Sequence, residues 1–535
     1  MSYTYGQPVY ILSEGSRRTR GRDAQWMFIR AGKAVSEAVR TTLGPKGMDK
    51  MLVDPSGTVV ITNDGVTILE EMDIEHPAAQ MIVEVASTQE EETGDGTTTA
   101  VIIAGELLAK AEDLLDDDIH PTVIANGYRF AAAEARSVLE ALAMQVDADD
   151  EDTLRKIAMT AMTGKGAEAS KDLLAGLVVS AVQAVADEDG IDLDDVVIET
   201  AVGGSVADSR LVEGVVVDKE RAHESMPTRV EDASVLLLET PIEVRGLEAD
   251  AELSITTPAQ LEEFIAREEG ELRGVVDSIV ESGANVVFCQ QGIDDLARHF
   301  LARKGVLALR RVKKSDMHAL ARATGAKSVG DLSDIESAHL GHAGLVEERR
   351  IGDDTLLFVE ECENPKSVSI LLRGGTDHVV TEVERALTDA LGVVRVTMQE
   401  GTVVPGGSAP EIELARAIRD FADGVSGREQ LAVEAFADAL DVVPRTLAEN
   451  AGLDPIDTLI ELRARHDRGE TSAGLDAYTG EVGDMEDLHV VEPLRVKLQA
   501  IESATEAVEL LLRIDDVVAA RLNNSGGDDF GEMDF

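Results

Sequence analysis

The chain carries, at residues 94–99, the stretch Gly94-Asp95-Gly96-Thr97-Thr98-Thr99, from which the rest of the sequence can be interpreted. The glycines allow positive φ angles and close approach of the backbone to a ligand, and Asp95 between them offers a hard carboxylate suited to Mg²⁺. The apolar run from Ala100 to Leu115 predicts a helix whose free N–H groups and positive dipole end face this loop. A magnesium–phosphate site and an ordinary capped helix start, with Asp as the N-cap, explain the stretch about equally well.

Two further loops have the same character. Leu43-Gly44-Pro45-Lys46-Gly47 and Asn63-Asp64-Gly65 also combine glycine with polar residues, and an apolar run at Val59–Thr62 predicts a short strand before the second loop. Asp64 by itself is typical of a turn, because Asn-Asp-Gly is common turn chemistry. The chain lacks the motifs of P-loop NTPases, Rossmann enzymes, HExxH zinc proteases and G-x-S-x-G hydrolases.

The charge of the chain is strongly acidic. It has 49 Lys and Arg against 103 Asp and Glu, a net charge of −54, spread along the whole length. Nucleic acid is therefore not expected as a partner, because binding it requires a basic surface. Self-repulsion of this size weakens a compact state unless concentrated salt shortens the Debye length. The composition thus indicates a salt-rich cytoplasm, as in a halophile.

Length and composition set further limits. A chain of 535 residues with 44% hydrophobic residues predicts roughly three domains with large cores. No uncharged apolar run is long enough to predict a membrane span, and residues 1–22 lack the apolar segment of a secretion signal. Two cysteines cannot form a disulfide framework, so a reducing cytoplasm is predicted.

The pattern of predicted elements is symmetric about the middle of the chain. Residues 23–150 have mostly helical periodicity, and residues 408–470 and 494–522 return to it. Between residues 218 and 370, short apolar strands alternate with helical stretches, which predicts an α/β unit. The segments on either side of this unit are mixed. The symmetry predicts nested domains, in which the N- and C-terminal segments share one domain.

Taken together, the loops resemble those of group II chaperonins, in their archaeal form. The segments that carry the resemblance follow one another at the family's spacing and cover essentially the whole chain: Thr41–Gly47, Ile61–Leu69, Gly94–Thr99, Thr160–Gly166, Leu372–Thr376, Glu384–Leu391, Val403–Gly407 and Glu492–Lys497. The resemblance implies a multidomain α and α/β chaperonin fold. It also implies an ATP hydrolase with ATP and Mg²⁺ as ligands, and K⁺ as an additional candidate cation.

The resemblance also implies roles for individual residues. Asp95 would hold Mg²⁺, Asp389 would orient and activate the attacking water, and Asp64 would be a second carboxylate near the γ-phosphate. Lys165 would sense that phosphate as a point charge. The nucleotide-binding positions implied are Thr42, Leu43, Gly44, Pro45, Gly96, Thr97, Thr98, Thr99, Lys165, Gly407, Asp476 and Glu492.

Without the resemblance, some of these residues look ordinary. Asp389 lies at the edge of an apolar helical stripe, which by itself favours a solvated helix face, and Lys165 alone would be a loop lysine. The sequence departs from the family at Ser408, where a third glycine is common. We expect the serine to be tolerated, although its Cβ restricts the backbone beside the nucleotide.

The resemblance implies three domains: a helical equatorial domain at residues 1–148 and 405–535, a mixed intermediate domain at 149–217 and 370–404, and an α/β apical domain at 218–369. Within the apical domain, a helical protrusion at about 248–280 would serve as a built-in lid. The helix there places six apolar residues near one face: Leu261, Phe264, Ile265, Leu272, Val275 and Ile279. Packing on its own domain accounts for most of them, and exposure in an open ring is the alternative for those near residues 261–265.

The partners implied are unfolded polypeptides and further subunits. The resemblance implies a homo- or hetero-oligomeric double ring with eight subunits in each ring and no separate lid protein. Three functions are compatible with these residues: an ATP-driven folding chaperone, a structural and weakly hydrolysing paralogue in a mixed ring, and an ATP-dependent transferase. The retained carboxylates and Lys165 favour the first, and the α/β unit has no acceptor-site residues to support the third.

Overall fold

The computed structural model describes residues 17–166, 170–187, 190–244, 258–363 and 365–519. The described helices do not include one with the length and apolar character needed to cross a membrane. The elements of the N-terminal part are β1 (Arg17–Arg20), α1 (Arg22–Arg40), β2 (Lys50–Val53), β3 (Val59–Thr62), α2 (Gly65–Glu71), α3 (Pro77–Thr93), α4 (Thr97–Asp116), α5 (Pro121–Leu142) and β4 (Met144–Gln145).

Strands are concentrated in the middle of the chain. Its elements are α6 (Glu151–Ala161), α7 (Lys171–Val185), β5 (Val196–Val202), β6 (Arg210–Val212), β7 (Gly214–Val217), β8 (Arg229–Leu238), α8 (Pro258–Ser282), β9 (Val286–Cys289), α9 (Asp295–Lys304), β10 (Leu307–Leu309), α10 (Lys314–Thr324), β11 (Ser328–Val329), β12 (Gly341–Ile351), β13 (Asp354–Glu360), β14 (Val368–Gly374) and α11 (Asp377–Glu400).

The C-terminal part is again mainly helical. Its elements are β15 (Thr402–Pro405), α12 (Ala409–Ala422), α13 (Glu429–Leu440), α14 (Val442–Asn450), α15 (Pro455–His466), β16 (Ala473–Asp476), β17 (Glu481–Asp484), β18 (Val491–Pro493), α16 (Leu494–Arg513) and β19 (Asp516–Ala519).

One large hydrophobic core joins the two ends of the chain. Helices α1 to α5 contribute buried residues such as Ile103 and Tyr128, and helices α12, α13 and α16 contribute others such as Phe436 and Val508. The ends also meet as strands, because β1 pairs antiparallel with β19. The apolar spacing along each helix places one continuous stripe against this core.

A second core lies in the α/β part of the chain. Strands β8, β9 and β10 are parallel neighbours, and β12, β13 and β7 extend the sheet with antiparallel pairs. All four residues of β9, including the free Cys289, are buried, as is typical of parallel strands covered on both faces. The predicted apolar strands in this region are therefore confirmed.

Helix α8 covers part of the segment for which a lid is predicted. Residues 248–257 of that segment, and the side chain of Leu261, lie outside the described residues. Leu272, Val276 and Ile279 are buried in the second core, whereas Ile265 is 50% exposed. The C-terminal half of the helix thus packs on its own domain, and its N-terminal half presents an apolar side chain to solvent.

A third core lies between the other two. It combines residues of α6, α7, β14 and α11, including Ile157, Val178, Ile370 and Leu387. Strand β14 pairs with β5 in parallel and with β6 antiparallel. Helix α11 leads from this core back to β15, which pairs with β18 and β4. The helix therefore spans the junction beside the loops identified in the sequence.

Candidate active site

The loop at residues 94–99 ends in a helix start that has no side-chain cap. Gly96 precedes α4 with φ of 84°, and this N-cap residue has no side chain to accept a hydrogen bond from the N–H groups of the first turn. Asp95 is not the N-cap, so the capped-helix interpretation of its carboxylate is wrong. Its backbone carbonyl accepts hydrogen bonds from Gln89 Nε2 at 2.8 Å and Thr93 Oγ1 at 2.9 Å. The loop is thus held by its backbone, and the N–H groups of the first turn are available to an anion.

A single cavity brings together nearly every residue that the resemblance identifies. Its lining includes residues of seven chain segments that lie between positions 42 and 492: Thr42, Leu43, Gly44, Pro45, Asp64, Asp95, Gly96, Thr97, Thr98, Thr99, Lys165, Gly407, Asp476 and Glu492. Asp389 is not in that lining but contacts Lys165, which is. The structure therefore places the predicted residues around one space, and their individual roles stay predictions.

Asp64 is the N-cap of α2 rather than a residue of a free turn. Its Oδ2 accepts hydrogen bonds from the backbone N–H of Thr67 at 2.9 Å and from the Thr67 hydroxyl at 2.6 Å. Its Oδ1 lies 3.4 Å from the hydroxyl of Thr97. One carboxylate oxygen is thus fixed by the helix while the other points toward the first turn of α4.

Asp389 is buried, with 4% of the residue exposed. The solvated face that the helical pattern favours is therefore wrong. Helix α11 is covered by other elements on the side of Asp389, and the carboxylate forms an ion pair with Lys165 from the loop after α6. The Nζ of Lys165 also lies 3.6 Å from Asp95 Oδ1. One ammonium group thus bridges the 94–99 loop and α11.

The pKa values of Asp389 and Lys165 reflect the crowding of charges in this cluster. Burial, and then the charges of Asp64 and Asp95, raise the pKa of Asp389 to about 6, although Lys165 opposes the shift. Burial disfavours the Lys165 ammonium, but Asp389, Asp95 and Asp64 outweigh it and raise its pKa above the usual value. The cluster has an excess of negative charge, so it favours cations.

One end of the cavity contains an ion triad, formed by the buried Lys497 and Glu411 and the partly exposed Glu492, that the sequence did not predict. Lys497 Nζ lies 2.9 Å from Glu411 Oε1 and 2.9 Å from Glu492 Oε2. Burial raises the pKa of Glu492 and Lys497 opposes that shift. Asp476, at the same end, accepts hydrogen bonds from Tyr478 N and the Thr479 hydroxyl. Its carboxylate is therefore bound within the β16–β17 turn.

Ser408 lies in the left-handed region with φ of 66° and is buried against the cavity. This conformation costs a non-glycine residue about 1 kcal/mol. The fold accommodates the serine at the residue that precedes α12.

Other functional candidates also gave no separate signal in the sequence. Asn63 donates a hydrogen bond to the carbonyl of Gly164 at 2.5 Å and so ties the α2 loop to the Lys165 loop. Glu90 lies among Asp389, Asp64 and Lys165. Asn63 could have been singled out because it belongs to a quoted loop. Glu90 and Lys497 look like ordinary charged residues of helices. Only the packing of distant segments buries Lys497 and partly covers Glu90.

The donor set fits a cation that shares its ligands with a phosphate. Among the described residues, no group of three His, Cys, Asp or Glu side chains is arranged to hold a metal ion by itself. Mg²⁺ is commonly bound by one or two carboxylates, with phosphate oxygens and waters completing its octahedron. Asp95 and Asp64, beside the open first turn of α4, provide such a partial set.

Two glycines allow α3 to approach α11 closely. A methyl group added at Gly94 would lie 2.9 Å from the Cα of Gly392 and 3.1 Å from the carbonyl oxygen of Asp389. Gly94 ends α3 with φ of 71°, and Gly305 ends α9 in the same way with φ of 75° but with no atom within 4 Å of an added methyl group.

These two sites form a matched pair of substitutions. We expect Gly305→Ala to lower the free energy of unfolding by about 1 kcal/mol through backbone strain alone. Gly94→Ala should cost a further ~1–3 kcal/mol, because the helices must move apart. Denaturant midpoints of the two variants measure the difference. Equal midpoints would show that the close approach of the helices does not contribute.

Comparisons with known proteins identify the family. Residues 35–521 match the model of the TCP-1/cpn60 chaperonin family. The chain is 64% identical to thermosome subunit 1 of Haloferax volcanii over 96% of its length and 92% of that relative. It is 61% identical to thermosome subunit alpha of Halobacterium salinarum, over 98% of the chain and 94% of the relative.

A solved structure agrees with these relatives. The open-state monomer of a group II chaperonin from Methanococcoides burtonii is 46% identical, with a TM-score of 0.59 over 78% of this chain and 100% of that one. The chaperonin fold predicted from the sequence is thereby confirmed. The chain belongs to the TCP-1/cpn60 chaperonin family, as an archaeal group II chaperonin.

Proposed function

We propose that this chaperonin subunit binds ATP with Mg²⁺ in the cavity described above and hydrolyses it. The observation that carries the proposal is the meeting of three carboxylates and one ammonium group at an uncapped helix start. Asp64, Asp95 and Asp389 come from different segments, and Lys165 contacts two of them. Hydrolysis of the terminal phosphoanhydride bond of ATP needs charge neutralisation and a positioned water. Asp389 would position the water, and Lys165 together with a cation held by the other carboxylates would supply the charge neutralisation.

Each group has a distinct task in the proposed reaction. The N–H groups and hydroxyls of Thr97, Thr98 and Thr99 bind phosphate oxygens at the N-terminus of α4. Asp389 accepts the proton of the attacking water as a general base, while Asp64 stands near the γ-phosphate. Mg²⁺, when bound by Asp95 and the phosphates, would neutralise the charge of the triphosphate beside these carboxylates. Glu492 and Gly407 line the end of the cavity in which the ribose would lie.

Lys165 links the nucleotide to the conformation of the subunit. It pairs with Asp389 here, and a γ-phosphate offers it a second anion in the same place. A nucleotide with that phosphate would therefore change the balance between two positions of α11 and shift an open-to-closed equilibrium. ADP, which lacks the γ-phosphate, would leave Lys165 with Asp389.

The three cores support the proposed division into domains. The core shared by both chain ends supports an equatorial domain at residues 1–148 and 405–535, and the core of α6, α7 and α11 supports an intermediate domain at 149–217 and 370–404. The core built on β8 to β13 supports an apical domain at 218–369. Residues 248–280 would form its lid.

The assembly follows from the family. As a group II chaperonin, the subunit works in an oligomeric ring and acts on non-native polypeptides. We further propose two stacked rings of eight subunits, in a salt-rich cytoplasm, without a separate lid protein and with K⁺ as an additional cation. Apolar surface exposed on non-native chains would bind the apolar rim of an open ring.

One preparation tests this proposal. The protein is purified in high salt, imaged by negative stain with and without ATP and Mg²⁺, and assayed for phosphate release and for recovery of a denatured enzyme. We expect rings that close with ATP, and turnover and recovery that both stop when EDTA removes Mg²⁺. Absence of rings, or recovery that proceeds equally without ATP, would contradict the proposed function.

A further inference from the structure

The crossing of α3 and α11 brings two acidic side chains together. The helices touch at Gly94 and Gly392, where no side chain separates the backbones. Glu90 lies one helical turn before Gly94, whose N–H donates to the Glu90 carbonyl at 2.8 Å. Asp389 lies one turn before Gly392 on the other helix. Both carboxyl groups therefore project into the space beside the crossing point.

The two carboxyl groups share a hydrogen bond, and three charged groups surround Glu90. These are Asp389 from α11, Asp64 from the loop before α2, and Lys165 from the loop after α6. Arg395 of α11 and Arg495 of α16 contact the neighbouring Glu92 instead. Glu90 is thus surrounded mainly by negative charge, and its hydrogen bond to Asp389 requires one proton between the two groups.

The proton belongs on Glu90. Burial, and then the charges of Asp389 and Asp64, raise the pKa of Glu90 to about 9, against about 6 for Asp389. Lys165 forms its ion pair with Asp389, which favours the ionised form of that residue. At neutral pH the neutral Glu90 carboxyl therefore donates a hydrogen bond to the Asp389 carboxylate.

We propose that Glu90 is a positioning residue for ATP hydrolysis, which holds the Asp389 carboxylate in place while Lys165 turns to the γ-phosphate. Among the residues that the structure describes, the Asp389 carboxylate contacts the side chains of Lys165 and Glu90. If the Lys165 ammonium turns to the phosphate, the hydrogen bond from Glu90 still holds the Asp389 carboxylate. The inference rests on the proposed ATPase, and it adds a residue that is not among those lining the cavity.

Two substitutions at Glu90 separate the effect of its hydrogen bond to Asp389 from the effect of its side-chain volume. Glu90→Gln keeps a donor that cannot ionise, and Glu90→Leu removes the donor at similar size. We expect Glu90→Leu to lower kcat by roughly 10–100-fold, since small misplacements of a catalytic group cost rates of this order, with little change in the KM for ATP. Glu90→Gln should stay within about threefold of the unaltered protein at pH 7. Glu91→Gln, on the exposed side of the same helix, is the control and should match the unaltered protein.

A pH profile gives a readout that a merely structural role would not change. In the unaltered protein Glu90 loses its proton as the pH rises through about 9, so it stops donating to Asp389, whereas the Glu90→Gln amide continues to donate. The ratio of kcat for Glu90→Gln to kcat for the unaltered protein should therefore rise above pH 9, and using a ratio cancels the titration of shared groups. A constant ratio from pH 7 to 10, or a normal kcat in Glu90→Leu, would overturn the inference.

The outcomes distinguish this inference from the proposed function. If the unaltered protein does not hydrolyse ATP, the proposed function fails. If it does, and Asp389→Asn is inactive while both Glu90 variants behave as the unaltered protein at every pH, only the role of Glu90 fails. Should Glu90→Leu not assemble, the pH ratio of Glu90→Gln decides alone.

Discussion

Asp389→Asn is expected to lower the rate of ATP hydrolysis by about 10²–10⁴-fold, the usual contribution of a general base. Asparagine has nearly the same shape and its carbonyl can still accept a hydrogen bond from Lys165, so the buried site should keep its packing. It cannot accept a proton from water. ATP binding should therefore stay within a few-fold of the unaltered protein, and turnover under saturating ATP with equilibrium binding measures the two effects separately.

The matched control for Asp389→Asn lies on the same helix. Asp377 begins α11 and is exposed, so Asp377→Asn removes the same charge away from the cavity and should leave turnover unchanged. Turnover above a tenth of the normal rate in Asp389→Asn would show that another group activates the water. Loss of ATP binding in that variant would instead show that Asp389 contributes to binding ATP before hydrolysis.

Lys497→Met is expected to lower the free energy of unfolding by about 3–5 kcal/mol, the range for breaking a buried ion pair. The Lys497 side chain is 8% exposed and that of Glu411 is 2% exposed. Without the ammonium, the buried Glu411 and the partly exposed Glu492 remain as two carboxylates with no cation between them. Chemical denaturation in constant high salt measures the change, provided that the slope of the transition is unaltered.

Two further variants test whether the loss of stability in Lys497→Met comes from the uncompensated buried charge. Lys33 pairs with Glu112 at 2.7 Å but is 41% exposed, so Lys33→Met should cost only about 0–1 kcal/mol. Adding Glu411→Gln and Glu492→Gln to Lys497→Met removes the uncompensated charges and should recover part of the lost stability. Equal losses for Lys497→Met and Lys33→Met would mean that the Lys497–Glu411 pair is not buried in solution.

The sequence predicts those parts of the fold that depend on local patterns of apolar residues. Apolar runs indicated β8, β9 and β10, and helical spacing indicated the two terminal groups of helices. The pattern could not indicate that β12, β13 and β7 extend the same sheet, because strand pairing between distant segments depends on tertiary contacts. The same limit applies to β1 and β19, which lie about 500 residues apart.

The candidate site shows the same division. Glycine-rich loops identified Asp64, Asp95 and Lys165 by resemblance, and the structure places them around one cavity. The helical pattern around Asp389 favoured a solvent-exposed side chain, because the periodicity describes one helix and does not show which other elements cover its edge. Glu90 had no signal, and Lys497 appeared only as the last residue of the segment Glu492–Lys497, because a charged residue in a helix is usually exposed. Only packing against α11 partly covers Glu90, and only packing against α12 buries Lys497.

The joining of both chain ends in one core has a consequence for biosynthesis. A ribosome releases α1 to α5 early, but the core that receives them also needs α16, which ends at Arg513. At ~5–20 residues per second, the interval is on the order of half a minute. The β7–β13 sheet is complete by residue 360, so the inner unit can fold during translation while the first helices wait with their apolar faces uncovered. Newly made subunits of this chaperonin should thus be at their most aggregation-prone just before translation ends.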